Sequence, residues 1–80
     1  MQEKRISVIG LGYIGLPTAA ILASRKYVVL GVDLNQEIVN SVNSGKSHVN
    51  EPELDDLISK TVKSGNFRAA TKPEEADVFI

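Results

Sequence analysis

The chain has 80 residues, no cysteine and a nearly balanced charge, with nine basic and ten acidic residues and a net charge of −1. We expect one small domain at most, because a chain of this length buries only about 60% of the surface that it exposes when unfolded. The charge balance argues against a nucleic-acid partner. The absence of cysteine excludes disulfides, thiolate metal ligands and a thiol nucleophile within these residues. No apolar stretch reaches the roughly 18 residues of a membrane span, so we expect no membrane partner and a cytoplasmic location.

The first third of the chain has the pattern of a parallel crossover unit. A β-branched run at 6–9 predicts a strand, and apolar residues at helical spacing from about Tyr13 to Arg25 predict a helix with Arg25 and Lys26 in its last turn. The apolar run 27–32 predicts a second strand that ends at Asp33. Strand, helix and strand within about thirty residues are typical of two parallel strands joined by a helix.

The rest of the chain is predicted to form two further helices and then two further strands. Asn35 can cap a second helix that stops at Gly45, and Pro52 opens a third helix that ends at Ser64 and Gly65. Between them, 46–50 is a predicted loop. We further expect a strand at 67–70, a helical turn or a bend at 72–76, and a strand that begins at Asp77. These elements predict an α/β fold: the N-terminal half of a doubly wound sheet, with four parallel strands in the order 3-2-1-4.

Three glycines between the first strand and the first helix form the pattern Gly10-x-Gly12-x-x-Gly15. At this place in a crossover unit, Gly10 would make the tight turn, Gly12 would let a pyrophosphate approach the backbone, and Gly15 would let the helix pack close to the sheet. Glycine-rich turns also occur wherever two backbones approach each other. The position between a strand and a helix favours the Rossmann-like, dinucleotide-binding interpretation.

Asp33 follows the second strand, 18 positions after Gly15. An acid there can accept hydrogen bonds from the hydroxyls of an adenosine ribose, and the alternative is a helix N-cap. A carboxylate would repel a 2′-phosphate, and Leu34, Asn35 and Gln36 include no arginine to receive one. The cofactor expected from the residues is therefore NAD rather than NADP.

Two single residues need separate interpretations. Pro17 lacks an amide hydrogen, so the first helix should start near Ile14 or Gly15 and place Pro17 in its first turn. His48 is the only histidine, and without a second ligand or an adjacent serine it predicts neither a metal site nor a hydrolase triad. We expect a structural or solvent-facing role for His48.

The sequence resembles the amino terminus of the nucleotide-sugar dehydrogenases, which include the UDP-glucose and GDP-mannose dehydrogenases. The resemblance covers nearly the whole chain. Within this family, the sequence is most similar to members that act on UDP-N-acetyl-D-mannosamine. The residues that carry it lie at 6–17, 23–25, 31–36, 43–45 and 48–54.

The resemblance implies that 1–80 is a partial NAD-binding Rossmann domain. The longer parent would oxidise the C6 alcohol of a UDP-sugar to a carboxylate with two NAD, and the family's catalytic residues, a cysteine among them, have no counterpart in this chain. The family positions that carry over are Gly10, Gly12, Tyr13, Ile14 and Gly15 at the pyrophosphate turn and Asp33 at the ribose.

Two other functions remain open on the residues alone. An S-adenosylmethionine-dependent methyltransferase also uses a glycine turn and an acid after its second strand, and a non-catalytic module could sense nucleotides or act in assembly. One further expectation concerns the last strand. Its apolar run continues to Ile80, so we expect an exposed edge and self-association, most simply as a two-fold homodimer.

Overall fold

The computed structural model describes residues 4–49 and 51–80. Positions 1–3 of the expected domain and position 50 of the expected loop lie outside this range. Within these ranges the chain forms four strands and three helices in the order β1 (Arg5–Ile9), α1 (Gly15–Ser24), β2 (Val28–Val32), α2 (Gln36–Asn43), α3 (Pro52–Lys63), β3 (Phe67–Ala70) and β4 (Val78–Phe79).

All four strands belong to one parallel sheet in the order β3-β2-β1-β4, which confirms the predicted topology. The strand β1 lies inside the sheet, where Ile6 pairs with Val29 on one side and with Val78 on the other. Next to β2, Val29 pairs with Phe67 of β3. Because all strands are parallel, their carboxyl ends lie along one edge, where ligands of doubly wound sheets bind.

The core lies between one face of this sheet and the helices. The inward side of α1 is formed by Leu16 and three alanines, and the alanines let the helix approach the sheet closely. Ile58 of α3 and Phe67 of β3 are fully buried in the same cluster. None of the helices in the described part of the chain combines the length and apolar character that a membrane span requires.

The opposite face of the sheet is crossed by the connection 71–76 between β3 and β4. This connection bends at residues 71–72 and contains no helix, so the bend, one of the two predicted alternatives, is the form observed. Arg68 of β3 joins this connection to the sheet, because its guanidinium donates two hydrogen bonds, 2.5 and 3.1 Å long, to the carboxylate of Glu74. Beneath it, Ser7 is fully buried.

All three helices end in the same arrangement of hydrogen bonds. The two residues after each C-cap donate their N–H groups back to the last turn, as Gly45 and Lys46 do to Val42 and Ser41. Gly45 and Gly65 supply the left-handed backbone after α2 and α3, as predicted. The prediction for α1 was wrong at its end: the helix stops at Ser24, and Lys26 takes the left-handed conformation with φ of 73°.

Candidate functional site

The glycine turn lies at the carboxyl edge of the two central strands. Directly after β1, Gly10 has a φ of 91°, a conformation that favours glycine. Its N–H donates to the carbonyl of Val32, at the end of β2, over 2.7 Å. The chain therefore leaves the sheet between β1 and β2 and turns at once into α1.

Gly12 and Gly15 have opposite surroundings within this turn. A Cβ on Gly15 would lie 1.8 Å from the carbonyl oxygen of Gly10, so the start of α1 packs against the turn at a distance that only glycine permits. A Cβ on Gly12 would meet no atom within 4 Å. Gly15 is thus required for the packing of α1 against the turn, whereas Gly12 faces open space where a ligand could approach the backbone.

The amino end of α1 carries no side-chain cap. Ile14 stands at the N-cap position without a side-chain hydrogen bond, and the first turn contains no acidic residue. Among residues 4–49 and 51–80, no acceptor is bonded to the N–H groups of Gly12, Tyr13, Ile14 or Gly15. Free N–H groups and the positive end of the helix dipole together favour an anion such as a phosphate.

Asp33 lies beside the same turn. Its Oδ1 accepts the N–H of Asn35 and its Oδ2 accepts the N–H of Leu11, both over 2.9 Å. These two hydrogen bonds lower the pKa of Asp33, and the charge of His48 adds to them. The side chain of Asn35 caps α2 by accepting the N–H of Glu37. Since a carboxylate has about four lone-pair sites, Asp33 keeps acceptor capacity for a ligand.

An apolar cleft of about 460 Å³ opens next to Asp33. Three large apolar side chains along this part of the molecule are strongly exposed: Tyr13 at 81%, Ile14 at 82% and Leu34 at 92%. The cleft is lined by Ile9, Gly10, Val32, Asp33, Leu34, Thr71 and Pro73. Such a cleft could hold a flat, largely apolar group attached to a ribose at Asp33.

The sequence prediction missed the residues that hold the turn in place. Leu11 is fully buried, and a Cβ on Gly31 would lie 2.7 Å from its Cδ2, so a larger residue at this position of β2 would force the Leu11 side chain to move. The signal for this was available, because a glycine inside a β-branched strand often marks a close approach. His48 also reaches the turn: its Nε2 lies 2.6 Å from the carbonyl oxygen of Leu11. No local pattern indicated that contact.

A strand, a glycine turn, a helix with an open amino end and an acid after the next strand together define a dinucleotide-binding domain of the doubly wound class. Residues 4–80 match the model of the UDP-glucose/GDP-mannose dehydrogenase family, NAD binding domain. The chain belongs to this family, and NAD is the cofactor of the domain that it matches.

Individual relatives agree with this assignment. The chain is 60% identical over 79 residues to the UDP-N-acetyl-D-mannosamine dehydrogenase of Campylobacter jejuni, covering 99% of this chain and 19% of that protein. It is 54% identical over 77 residues to the NDP-N-acetyl-D-galactosaminuronic acid dehydrogenase of Ralstonia nicotianae, covering 96% of this chain and 18% of the relative. The chain therefore spans about a fifth of the length of these curated relatives.

A solved structure shows the same fold. The UDP-N-acetyl-mannosamine dehydrogenase of Staphylococcus aureus superposes with a TM-score of 0.90 at 40% identity, over 94% of this chain and 18% of that one. The comparisons confirm the resemblance seen in the sequence. They do not support the two alternatives, a methyltransferase or a non-catalytic sensing module.

Proposed function

We propose that this chain holds the adenosine and pyrophosphate parts of NAD along the carboxyl edge of its sheet, as the partial Rossmann domain, 1–80, of a nucleotide-sugar dehydrogenase. One observation carries the proposal: the turn whose N–H groups are open at the start of α1 is bonded to the Asp33 carboxylate. The hydrogen bond runs from the N–H of Leu11 to Oδ2 of Asp33. A ligand with an anionic centre and a nearby diol fits these two features together.

Each predicted site residue has a distinct role in this proposal. Gly10 makes the turn, Gly15 brings α1 close to it, and Gly12 leaves space for the pyrophosphate. The N–H groups of Tyr13 and Ile14 face the same anion. The remaining lone pairs of the Asp33 carboxylate would accept the ribose hydroxyls, and its negative charge would disfavour the 2′-phosphate of NADP.

The adenine ring would occupy the apolar cleft beside Asp33. Leu34, Thr71 and Pro73 are among the residues that line the cleft. The exposed side chain of Leu34 gains an apolar neighbour when the ring enters, which favours binding because apolar surface leaves water on both partners.

The reaction of the longer parent follows from the relatives as part of the same proposal. It oxidises the C6 alcohol of a UDP-sugar, preferably UDP-N-acetyl-D-mannosamine, to a carboxylate. Two hydride transfers reduce two NAD to NADH, and one water supplies the second carboxylate oxygen. The relatives act on more than one sugar, and this chain contributes cofactor binding and no catalytic residue. We place this work in the cytoplasm, where NAD is available.

We also propose that the 80-residue chain associates with a second copy through β4. Val78, Phe79 and Ile80 are 39%, 57% and 55% exposed, and Ile9 beside them is 53% exposed. At the other edge of the sheet, Asn43 bonds to the backbone N–H and carbonyl of Ala69 in β3. A sheet with one open apolar edge favours pairing at that edge. Light scattering during size-exclusion chromatography tests this: a mass of 8.7 kDa at high micromolar concentration would contradict it.

Calorimetric titration of the chain with NAD, NADP and S-adenosylmethionine tests the cofactor proposal. We expect NAD to bind most tightly and Asp33→Ala to weaken it by about tenfold or more, since hydrogen bonds to a charged acceptor contribute about 1.5–3 kcal/mol. Glu37→Ala, at an exposed acid in the first turn of α2, is the matched control and should bind NAD as the parent chain does. Binding of S-adenosylmethionine without NAD, or unchanged NAD binding by Asp33→Ala, would overturn the proposal.

A further inference from the structure

Leu11 lies in the middle of the glycine turn, and its side chain, its N–H and its carbonyl oxygen each contact another part of the chain. Its side chain is fully buried against Gly31, and its N–H donates to Oδ2 of Asp33 over 2.9 Å. Its carbonyl oxygen lies 2.6 Å from Nε2 of His48, a residue 37 positions further along the chain. The first two contacts belong to the crossover unit itself, whereas the third comes from the connection between α2 and α3.

The chemistry of this third contact determines which atom donates. A carbonyl oxygen only accepts hydrogen bonds, so Nε2 of His48 must carry a proton. The neutral ring with its proton on Nε2 and the charged ring both meet this condition. His48 is exposed and acts as a hydrogen-bond donor to the turn, which agrees with the structural or solvent-facing role expected from the sequence.

The backbone on both sides of His48 is fixed, so the ring is aimed at the turn. The N–H of Ser47 donates to Oδ1 of Asp55, in the first turn of α3, over 2.7 Å. The N–H of Val49 donates to Oγ of Ser47 over 2.7 Å. The connection is thus tied to α3, and through His48 it ties α3 to the turn.

The carbonyl of Leu11 belongs to the same peptide group as the N–H of Gly12. No described peptide bond is cis, and in a trans peptide the C=O and N–H bonds point in opposite directions. Holding the Leu11 oxygen on the side of His48 therefore directs the Gly12 N–H away from His48, and this N–H has no acceptor among the described residues.

From this geometry we propose that His48 is a positioning residue for the cofactor: its Nε2–H fixes the Leu11–Gly12 peptide so that the Gly12 N–H is ready to bind the pyrophosphate. The inference rests on the proposed function, because it requires the pyrophosphate to lie at this turn. His48 contributes without touching the cofactor, by removing the freedom of one peptide group before binding.

Three variants of the 80-residue chain test this role. His48→Ala removes the donor, His48→Gln restores an N–H donor at the end of a side chain of similar reach, and Lys46→Ala changes an exposed neighbour in the same connection. We expect His48→Ala to raise the Kd for NAD by about tenfold, and His48→Gln and Lys46→Ala to stay within about twofold of the parent chain. In ¹⁵N-resolved NMR spectra, the Gly12 amide should shift in His48→Ala and return toward its parent position in His48→Gln.

The possible results separate this inference from the proposed function. If the parent chain binds NAD and Asp33→Ala weakens it, but His48→Ala binds as the parent does, the cofactor site stands and the role of His48 is wrong. A glutamine variant as weak as the alanine variant, with an intact circular dichroism spectrum, would also overturn the role of His48. If the parent chain binds no NAD, the proposed function fails first and the inference fails with it.

Discussion

The side-chain amide of Asn43 makes two hydrogen bonds with the backbone of Ala69. Its Nδ2 donates to the Ala69 carbonyl over 2.9 Å, and its Oδ1 accepts the Ala69 N–H over 2.8 Å. Because β3 is the outermost strand on its side, these are the backbone groups that another strand would use. Asn43, the last residue of α2, thus binds two backbone groups that would otherwise be open to a fifth strand.

Exchange of this amide for a carboxylate should lower stability. Asn43→Asp keeps the size of the side chain but turns its donor into an acceptor that faces the Ala69 carbonyl. We expect the free energy of unfolding, measured with urea, to fall by about 2 kcal/mol. The control is Asn40→Asp, since Oδ1 of Asn40 accepts a hydrogen bond from Gln36 on the exposed side of the same helix. An equal loss in both variants would contradict the role given to Asn43.

Lys26 offers a site for stabilisation. It is the one described non-glycine residue with positive φ, and α2 and α3 have glycine at the equivalent place. Lys26→Gly should raise the free energy of unfolding by about 1 kcal/mol, because the left-handed conformation is costly for a residue with a Cβ.

The reverse change at the end of α3 is the matched control for Lys26→Gly. A Cβ on Gly65 would meet no atom within 4 Å, so Gly65→Ala tests the backbone effect alone. Its free energy of unfolding should fall by about 1 kcal/mol. A stability gain in Gly65→Ala, or a loss in Lys26→Gly, would show that the φ of these residues does not limit stability.

Two glycine substitutions should separate packing from cofactor binding. Gly15→Ala places a Cβ 1.8 Å from the Gly10 oxygen and should destabilise the fold by several kcal/mol, about the size of other severe packing defects. Gly12→Ala meets no protein atom and should unfold near the parent's temperature, yet bind NAD at least about tenfold more weakly, because its methyl group enters the pyrophosphate space. Thermal unfolding and calorimetry check both, and normal NAD binding by Gly12→Ala would place the pyrophosphate elsewhere.

The charge of Asp33 should make stability depend on pH. The N–H groups of Asn35 and Leu11 lower its pKa below the usual 3.8, so the carboxylate stabilises the folded state above that value. This contribution is lost as the pH falls through the lowered pKa of the folded state. We expect the stability difference between the parent and Asp33→Asn to shrink as the pH falls from about 5 to below about 4. Urea unfolding across this range measures it, with Glu37→Gln as the control for loss of one negative charge.

The hydroxyl of Ser7 has no hydrogen-bond partner among the described residues, although the side chain is fully buried. Leaving a buried hydroxyl unpaired costs free energy, so Ser7→Ala should leave stability unchanged or raise it by up to about 1 kcal/mol. Ser44→Ala is the control, because its hydroxyl donates to the Ser41 carbonyl over 2.7 Å. A clear loss of stability in Ser7→Ala, measured by urea unfolding, would show that this hydroxyl has a partner.

The elements and their order could be read from the sequence because their signals are local. A β-branched run predicts β1, and Pro17 predicts the start of α1, which begins at Gly15. Asn35 caps α2 and Gly45 ends it, as expected from the conformations that these residues favour. The strand order followed from the doubly wound fold that these elements indicate, with right-handed crossovers. The end of α1 was misplaced because Lys26 adopts a conformation that its residue type does not indicate.

The contacts that hold the site together were decided by the tertiary structure alone. His48 meets Leu11 across 37 positions, Leu11 meets Asp33 across 22, and Asn43 meets Ala69 across 26. Residue types restrict only the backbone near them, whereas a hydrogen bond between distant residues requires the sheet and helices to be assembled first. The sequence by itself therefore determined the glycine turn and the acid beside it, and the packing of the connections around the sheet decided which other residues hold them.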